Sequence, residues 1–354
     1  MRWIYFRKGD KMTIIYFIII LGITVMIHEL GHFIFAKKAG VYIYEFSIGM
    51  GPRLFKFNRK NDETEYSIRL LPIGGYVSMA GEDMEEDSKI PKDKQLVNKK
   101  WIPRFLTMFA GILFNFLLAI FLLFIIALIS GSPVSTPEID YIDPTYEISN
   151  TNLKQNDIIT KINNKKISNK DDLLLELQIN NGKTIEIEVN NNYTITVSPT
   201  LVIENGESIY RYGFSIKNEY KTGFLNALIY AFTKTLSLVK QLMLIIFYLI
   251  TGKLSLNNLS GPIGIYSVVA EVSKTGILNI LYLIAYLCIN VGFINLLPIP
   301  AFDGCRILFL IIEKIKGSKV NQKVENMVHS IGFVFLMILM VLITYNDIIR
   351  IFIK

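Results

Sequence analysis

Four stretches of the chain are nearly free of charge: Met12 to Ala36, Phe105 to Gly131, Gly276 to Phe302 and Met327 to Tyr345. Each approaches or exceeds the roughly 20 residues that an α-helix needs to cross a hydrocarbon core. The stretches between them carry other patterns. After the first, VYIYEFSIGMGP and then Glu65 through LPIGGYVSM alternate polar and apolar residues around glycine turns, which predicts a small sheet leaning on the membrane. Glu138 to Ile216 predicts a compact α+β module with a strand at Asp157 to Ile162, a turn at Asn163 and Asn164, a helix at Lys170 to Gln178, and strands at Thr184 to Val189 and Tyr193 to Val197. Gly223 to Ile250 is apolar but interrupted by Lys234 and by Lys240 with Gln241, so an interfacial amphipathic helix is expected there rather than a span.

The expected fold is therefore an α-helical polytopic membrane protein with four transmembrane helices. Residues 1–37 hold the first span, 38–103 a cytoplasmic membrane-associated β-hairpin or sheet, and 104–131 the second span. Residues 132–220 form one extracytoplasmic α+β domain and 221–275 the interfacial helix and linker. The third span falls in 276–317, and the fourth with the tail in 318–354. Parity matters here: if the interfacial segment also crossed, the third span would run opposite to the first and Asp303 would end on the wrong face for His28 and His32.

Composition agrees with a membrane, because 51% of residues are apolar and only 19% charged. Lys37 to Arg104 holds 13 basic and 10 acidic residues, and Ser132 to Tyr220 holds 8 basic and 13 acidic. Basic loops stay cytoplasmic, so the acidic module faces outside. Arg2, Arg7, Lys8 and Lys11 before the first span argue the other way, and the larger loop decides. A cleaved signal peptide is not expected, since no small-residue cleavage site follows and the segment carries His28, Glu29 and His32. The net charge of +7 is not accompanied by basic runs interleaved with aromatics, which excludes a nucleic-acid partner. Two cysteines, Cys288 and Cys305, read as free thiols.

The chemistry concentrates in His28-Glu29-Leu30-Gly31-His32. Two imidazoles four residues apart share one helix face, as capture of a single metal requires, with Glu29 beside them for proton work. Two of the chain's three histidines occupy this pattern. The competing reading is a set of polar interhelical contacts, but ionisable groups in a bilayer cost roughly 2 to 4 kcal/mol each, which packing alone repays poorly. Zinc suits imidazole and carboxylate ligands and leaves a position for water. A third ligand is needed. His329 stands near the start of the fourth span, Cys305 offers a thiolate, and Asp303 follows two helix-breaking prolines in Asn295-Leu296-Leu297-Pro298-Ile299-Pro300-Ala301-Phe302-Asp303-Gly304. Asp303 is the better candidate, with an N-cap of the following helix at Gly304 to Ile315 as its other role. Asn290 and Asn295 lie within the third span and need partners, either a substrate carbonyl or a neighbouring helix.

HELGH, FSIGMGP, LPIGGYV, Leu259-Ser260-Gly261-Pro262-Ile263, NLLPIPAFDG and Ile312-Glu313-Lys314-Ile315-Lys316-Gly317 recur in that order in bacterial site-2 proteases, and the chain resembles the RseP and RasP group over nearly its whole length. Leu153 to Ile159, Asn164 and Ile167 are similar to a PDZ core. The resemblance implies zinc held at His28, His32 and Asp303, Glu29 as general base and acid, and substrates that are single-pass membrane proteins such as anti-sigma factors or signal-peptide remnants. It also implies a bacterial inner-membrane location. Two positions depart from the family: Cys305 replaces a glycine after the aspartate, and Asn152 and Asn156 stand where glycines are common in the module.

The function expected is intramembrane zinc endoproteolysis. A helical substrate hides its carbonyls in hydrogen bonds, so it must be unwound, and addition as a strand along the Tyr66 to Met79 edge, near Gly74, Gly75 and Tyr76, would hold it extended. The module, which has neither His nor Cys, is expected to bind peptide or to filter substrates by size. The rival from another class is a metal transporter or a non-proteolytic membrane binding protein using HELGH as a metal site. The glutamate between the histidines favours proton transfer over ion passage.

Overall fold

The computed structural model describes residues 9–60, 62–82, 87–204, 207–254 and 260–353. Arg2, Arg7, Lys8 and Leu259 lie outside them. In chain order the elements are α1 (Gly9–Lys38), β1 (Ile43–Asn58), β2 (Glu65–Met79), α2 (Trp101–Ser130), β3 (Ser132–Pro133), β4 (Ile139–Ile142), β5 (Ile159–Ile162), β6 (Lys165–Lys166), α3 (Lys170–Ile179), β7 (Ile185–Val189), β8 (Tyr193–Val197), β9 (Thr200–Glu204), β10 (Glu207–Arg211), β11 (Phe214–Ile216), β12 (Tyr220–Lys221), α4 (Phe224–Ile250), α5 (Pro262–Val272), α6 (Ile277–Leu296), α7 (Asp303–Lys316) and α8 (Gln322–Ile353). The chain separates into two compact units, Phe124–Ser255 and the remainder.

The larger unit is built from α1, most of α2, the hairpin and α5 to α8. Long apolar runs with few charges leave helix as the one way to satisfy every backbone group within a segment, so α1, α2, α6 and α8 form where the charge-free stretches lie. The third stretch is helical only to Leu296, because Pro298 and Pro300 lack the N–H that a continuing turn requires and their rings clash with the carbonyls of the turn before. Helix resumes at Asp303, whose predecessor Phe302 is the N-cap residue and makes no side-chain cap, so Asp303 is not spent as a cap. Cys305 falls inside that helix, at a position that needs no glycine.

Helix directions follow from close pairs. Asn115 on α2 approaches His28 on α1, Gly292 on α6 meets Asn115, and Cys288 on α6 lies 3.9 Å from Thr24 on α1. Thus α6 runs parallel to α1 and α2 antiparallel to it. In the hairpin, Glu45 to Ile48 is flanked on one side by residues 75–78 and on the other by 65–68, giving a sheet whose 75–79 edge faces α1. Phe33, Phe46, Val77, Met79, Ile112 and Ile307 pack where these elements meet.

The Phe124–Ser255 unit contains the expected α+β module. Its sheet has the order β6-β5-β7-β8, and Ile159, Ile162, Leu173, Ile185, Ile187, Val189 and Val197 form its core with α3. Expected and observed bounds agree to within two residues for these strands and one for the helix. Unanticipated were the hairpin β9–β10 and the short pairs β3–β12 and β4–β11, whose strands of two to five residues give little alternation to read. Asn156 has φ +70°, and Asn163, Asn164, Asn190 and Asn191 are also left-handed, a conformation whose cost asparagine lowers by local hydrogen bonding. Asparagine thus takes five backbone places to which glycine is otherwise suited.

Five described helices have the length and apolarity to cross a membrane. Four were expected, and α4 is the fifth. Its charged residues and several polar ones turn toward the module: Lys234 and Ser237 bond Asp171, Lys240 bonds Asp172, and Tyr248 bonds Glu176. The opposite stripe, Leu225, Ile229, Phe232, Leu236, Met243 and Phe247, is exposed.

Within the module, Asp157 accepts hydrogen bonds from Lys154 N, Tyr193 and Asn190 at 2.7 to 2.8 Å. Burial pushes its carboxyl up, and these bonds outweigh burial and hold it below the ordinary carboxylate range. A depressed folded value stabilises above the unfolded one and is lost as pH falls through the folded one. Asp157→Asn should cost the module roughly 1 to 2 kcal/mol at pH 7, and calorimetry should show the gap from wild type closing as pH is lowered below 4.

Candidate metal centre

His28 and His32 stand one turn apart on α1, and their rings are 7% and 6% exposed. Their Nε2 atoms are 3.1 Å apart. Asp303 Oδ2 reaches 2.9 Å from His28 Nε2 and 3.2 Å from His32 Nε2. Among the described residues no other three His, Cys, Asp or Glu side chains converge in this way.

The chemistry of these atoms points to a cation. His32 Nδ1 lies 2.8 Å from Thr107 O, and a carbonyl only accepts, so Nδ1 carries the proton and Nε2 presents a lone pair. Asp303 Oδ2 is buried and makes no hydrogen bond. Imidazole nitrogens and a carboxylate oxygen therefore face one another in a buried site, an arrangement that needs a proton or a metal cation between them. A tetrahedral zinc with bonds of roughly 2.0 to 2.1 Å separates its ligand atoms by about 3.3 Å, close to the observed 2.9 to 3.2 Å. The residues fit zinc.

Helix α2 completes the cradle. Thr107, Gly111 and Asn115 follow at four-residue intervals on one face, opposite the two histidines. A Cβ on Gly111 would fall 2.4 Å from His32 Nε2 and 2.8 Å from His28 Cε1, and one on Gly31 would fall 2.4 Å from Ala110 O. The two glycines let α1 and α2 approach backbone to backbone. Asn115 lies 3.4 Å from His28 Nδ1 through its amide nitrogen, with Oδ1 unpartnered. Turning the amide over pairs Oδ1 with an Nδ1 proton and leaves His28 Nε2 free for a metal. The sequence reading passed over all three α2 residues. Their signal was a lone amide and a glycine at helical spacing inside an otherwise apolar run.

Glu29 stands beside the histidines, and its Oε2 accepts from Val77 N at 3.1 Å. Gly75 also approaches: a Cβ there would lie 3.9 Å from Glu29 Cγ and 2.6 Å from Ser47 O. Gly74 packs near Val25 and Met50 instead. Tyr76 points the other way, into a cluster where Glu45 accepts from Ser67, Tyr76 and Arg69. Burial pushes the Glu45 carboxyl up, and those bonds outweigh it and hold it low. This cluster pins strand β2 one residue from Val77.

The other sequence candidates are not part of the converging group. Asn290 donates to Tyr286 O in its own helix at 2.7 Å, and Asn295 makes no hydrogen bond among the described residues. Cys305 is buried outside the group. His329 Nδ1 accepts from Ala301 N at 3.1 Å, two residues before Asp303.

A chain with several membrane-length helices that gathers two helical histidines, an aspartate and a neighbouring glutamate has the form of a membrane-embedded metallopeptidase. Comparison with known proteins agrees: the profile of peptidase family M50 matches residues 16–339. The chain is 34% identical to the regulator of sigma-W protease RasP of Bacillus subtilis, with 96% of this chain and 99% of that protein covered. It is 33% and 31% identical to the zinc metalloproteases RasP of Bacillus licheniformis and Oceanobacillus iheyensis, with the same coverage. The chain belongs to peptidase family M50 and is a zinc-dependent, multi-pass intramembrane protease of the site-2 type.

Alanine is favoured over glycine in a helix by roughly 1 kcal/mol, so Gly111→Ala should leave α2 folded while placing a methyl in the cradle. Zinc content of the purified variant, measured by plasma mass spectrometry, should fall to less than about a tenth of wild type.

Proposed function

We propose that His28, His32 and Asp303 hold the catalytic zinc and that Glu29 is the general base and acid of peptide hydrolysis within the membrane. The observation that carries this reading is the convergence of three lone-pair atoms within 3.2 Å, with Glu29 adjacent. A zinc ion held by these three residues would supply Lewis acidity, making a water acidic near pH 7 and a carbonyl more electrophilic. Glu29 takes the proton of the attacking water and returns it to the leaving nitrogen. The Val77 N–H orients that carboxylate, and Thr107 O and Asn115 fix the two imidazole tautomers.

The substrate is an extended segment of a single-pass membrane protein. Val77 pairs with Phe46 on one side and sends its N–H to Glu29 on the other, which supports an open β2 edge running past the site. A substrate added along Gly75 to Met79 would give its carbonyls and amides partners as its helix unwinds. Anti-sigma factors are the expected class, since the B. subtilis relative is named for regulating sigma-W. Asn290 and Asn295 remain candidates for substrate contact from α6. The module at 132–220 is read as PDZ-like, facing outside a bacterial inner membrane.

Four spans, α1, α2, α6 and α8, are proposed, with α4 lying on the membrane surface. Two observations support this. Because α6 runs parallel to α1 and α2 antiparallel, no net crossing separates α2 from α6, and α5, 11 residues long, is too short to cancel a crossing by α4. Lys234 to Tyr248 lies along module residues for about 21 Å, which leaves only the opposite apolar stripe for lipid.

Glu29→Gln should retain zinc and lose cleavage of a reconstituted transmembrane peptide by about 10² to 10⁴-fold; undiminished cleavage would overturn the assignment. For α4, single cysteines at Gly223 and Ile250 should both react with an impermeant maleimide added from one side of intact spheroplasts. Labelling of the two ends from opposite sides would make α4 a span.

A further inference from the structure

The third histidine belongs neither to the converging group nor to the hydrolytic step, yet it reaches the segment that delivers Asp303. His329 projects from α8, and its Nδ1 accepts the Ala301 N–H at 3.1 Å. Ala301 has φ +75°, in the left-handed region that a Cβ disfavours. The other described non-glycine residues with positive φ are asparagines, which are suited to it. Ala301 has no side chain that could hydrogen-bond its own backbone, so something outside the loop must hold it there.

Helix α8 supplies that hold twice. Gly332 lies so close to Pro300 that a Cβ on it would come within 2.0 Å of the proline Cβ, and the His329 ring packs 6.2 Å from that of Phe309 on α7. The loop between α6 and α7 is thus laid against one face of α8 at Pro300 and Ala301. Its own backbone bonds are few and short-ranged: Ile299 N to Leu297 O, Phe302 N to Ile299 O and Cys305 N to Phe302 O. Turning Ala301 out of the left-handed region would redirect the chain two residues before Asp303, and with it the carboxylate that meets His28 and His32.

We propose that His329 is a positioning residue for Asp303: by accepting the Ala301 N–H it keeps that residue left-handed and so sets the carboxylate on the two α1 imidazoles. The proposal rests on the reading of Asp303 as a zinc-holding residue. It gives α8 a part in assembling the metal site without supplying a ligand.

The test is zinc affinity of the purified full-length protein, measured by competition with a chromophoric chelator, so no substrate is needed. His329→Ala should raise the zinc Kd about 10 to 100-fold, the range for outer groups that orient metal ligands. His329→Asn, which keeps an acceptor near the place of Nδ1, should stay within about 3-fold of wild type on the same ground. Adding Ala301→Gly to His329→Ala should recover most of the loss, because glycine adopts the left-handed conformation unaided. A fold defect from losing a half-buried ring would not be repaired by that second change. An unchanged Kd in His329→Ala, or no recovery in the double variant, overturns the proposal. Asp303→Asn separates the two readings. If it retains wild-type zinc affinity, the ligand assignment falls; if it loses zinc while His329→Ala does not, only the positioning role falls.

Discussion

The close convergence of two imidazoles and a carboxylate is the constraint around which the larger unit is arranged. Two imidazole nitrogens and a carboxylate oxygen sit within 3.2 Å of each other, and each is expensive to carry into a bilayer. Apolar packing alone would drive them apart. The structure resists this from three directions: the helical period fixes the histidines to one another, the Thr107–Gly111–Asn115 face of α2 fixes their ring orientation, and the proline-broken loop fixes the aspartate. On the proposed ligand set a divalent cation would turn the same crowding into attraction, and metal binding and the closeness of α1, α2 and the loop would be one equilibrium.

That arrangement explains why a soluble-looking motif, a β-sheet, adjoins the membrane helices. A metal site flanked only by helices would offer an incoming helical substrate nothing to exchange its backbone hydrogen bonds with. The β2 edge supplies amides and carbonyls where unsatisfied ones would cost several kcal/mol each. Its outermost strand also touches Glu29 through Val77, so on the proposed reading substrate alignment and orientation of the acid–base group depend on the same backbone. The Glu45, Arg69 and Tyr76 cluster on the far face keeps that strand from shifting register, which would carry Val77 off Glu29.

Much of this was legible in the chain itself. HELGH states its geometry outright, since the helical period alone puts its imidazoles together, and Pro298 and Pro300 announce the break that frees Asp303. Asn115 was equally visible but was not singled out, because its meaning depends on which helix faces α1, and that is a tertiary fact. Tyr76 was read for its motif and turned out to point away from Glu29, because the strand period sends neighbouring side chains to opposite faces and the motif does not say which face meets α1. The β9–β10 hairpin and the two-residue pairings were hidden for a plainer reason: segments that short carry no period.

Helix α4 is the element on which the proposed count of four spans turns. It has the length and apolarity of a span, yet the charged residues that interrupt it are not scattered. Lys234, Lys240 and Tyr248 recur on the face that meets Asp171, Asp172 and Glu176, and the bulky apolar side chains recur on the other. An ion pair set along a water-facing module cannot also lie at the midplane of a bilayer without losing its solvation. The parallel course of α1 and α6 supports the proposed surface placement from the opposite end of the problem. Were α4 to cross, α6 would enter from the other leaflet, and the carboxylate at its end would be about 30 Å of hydrocarbon away from the imidazoles it touches.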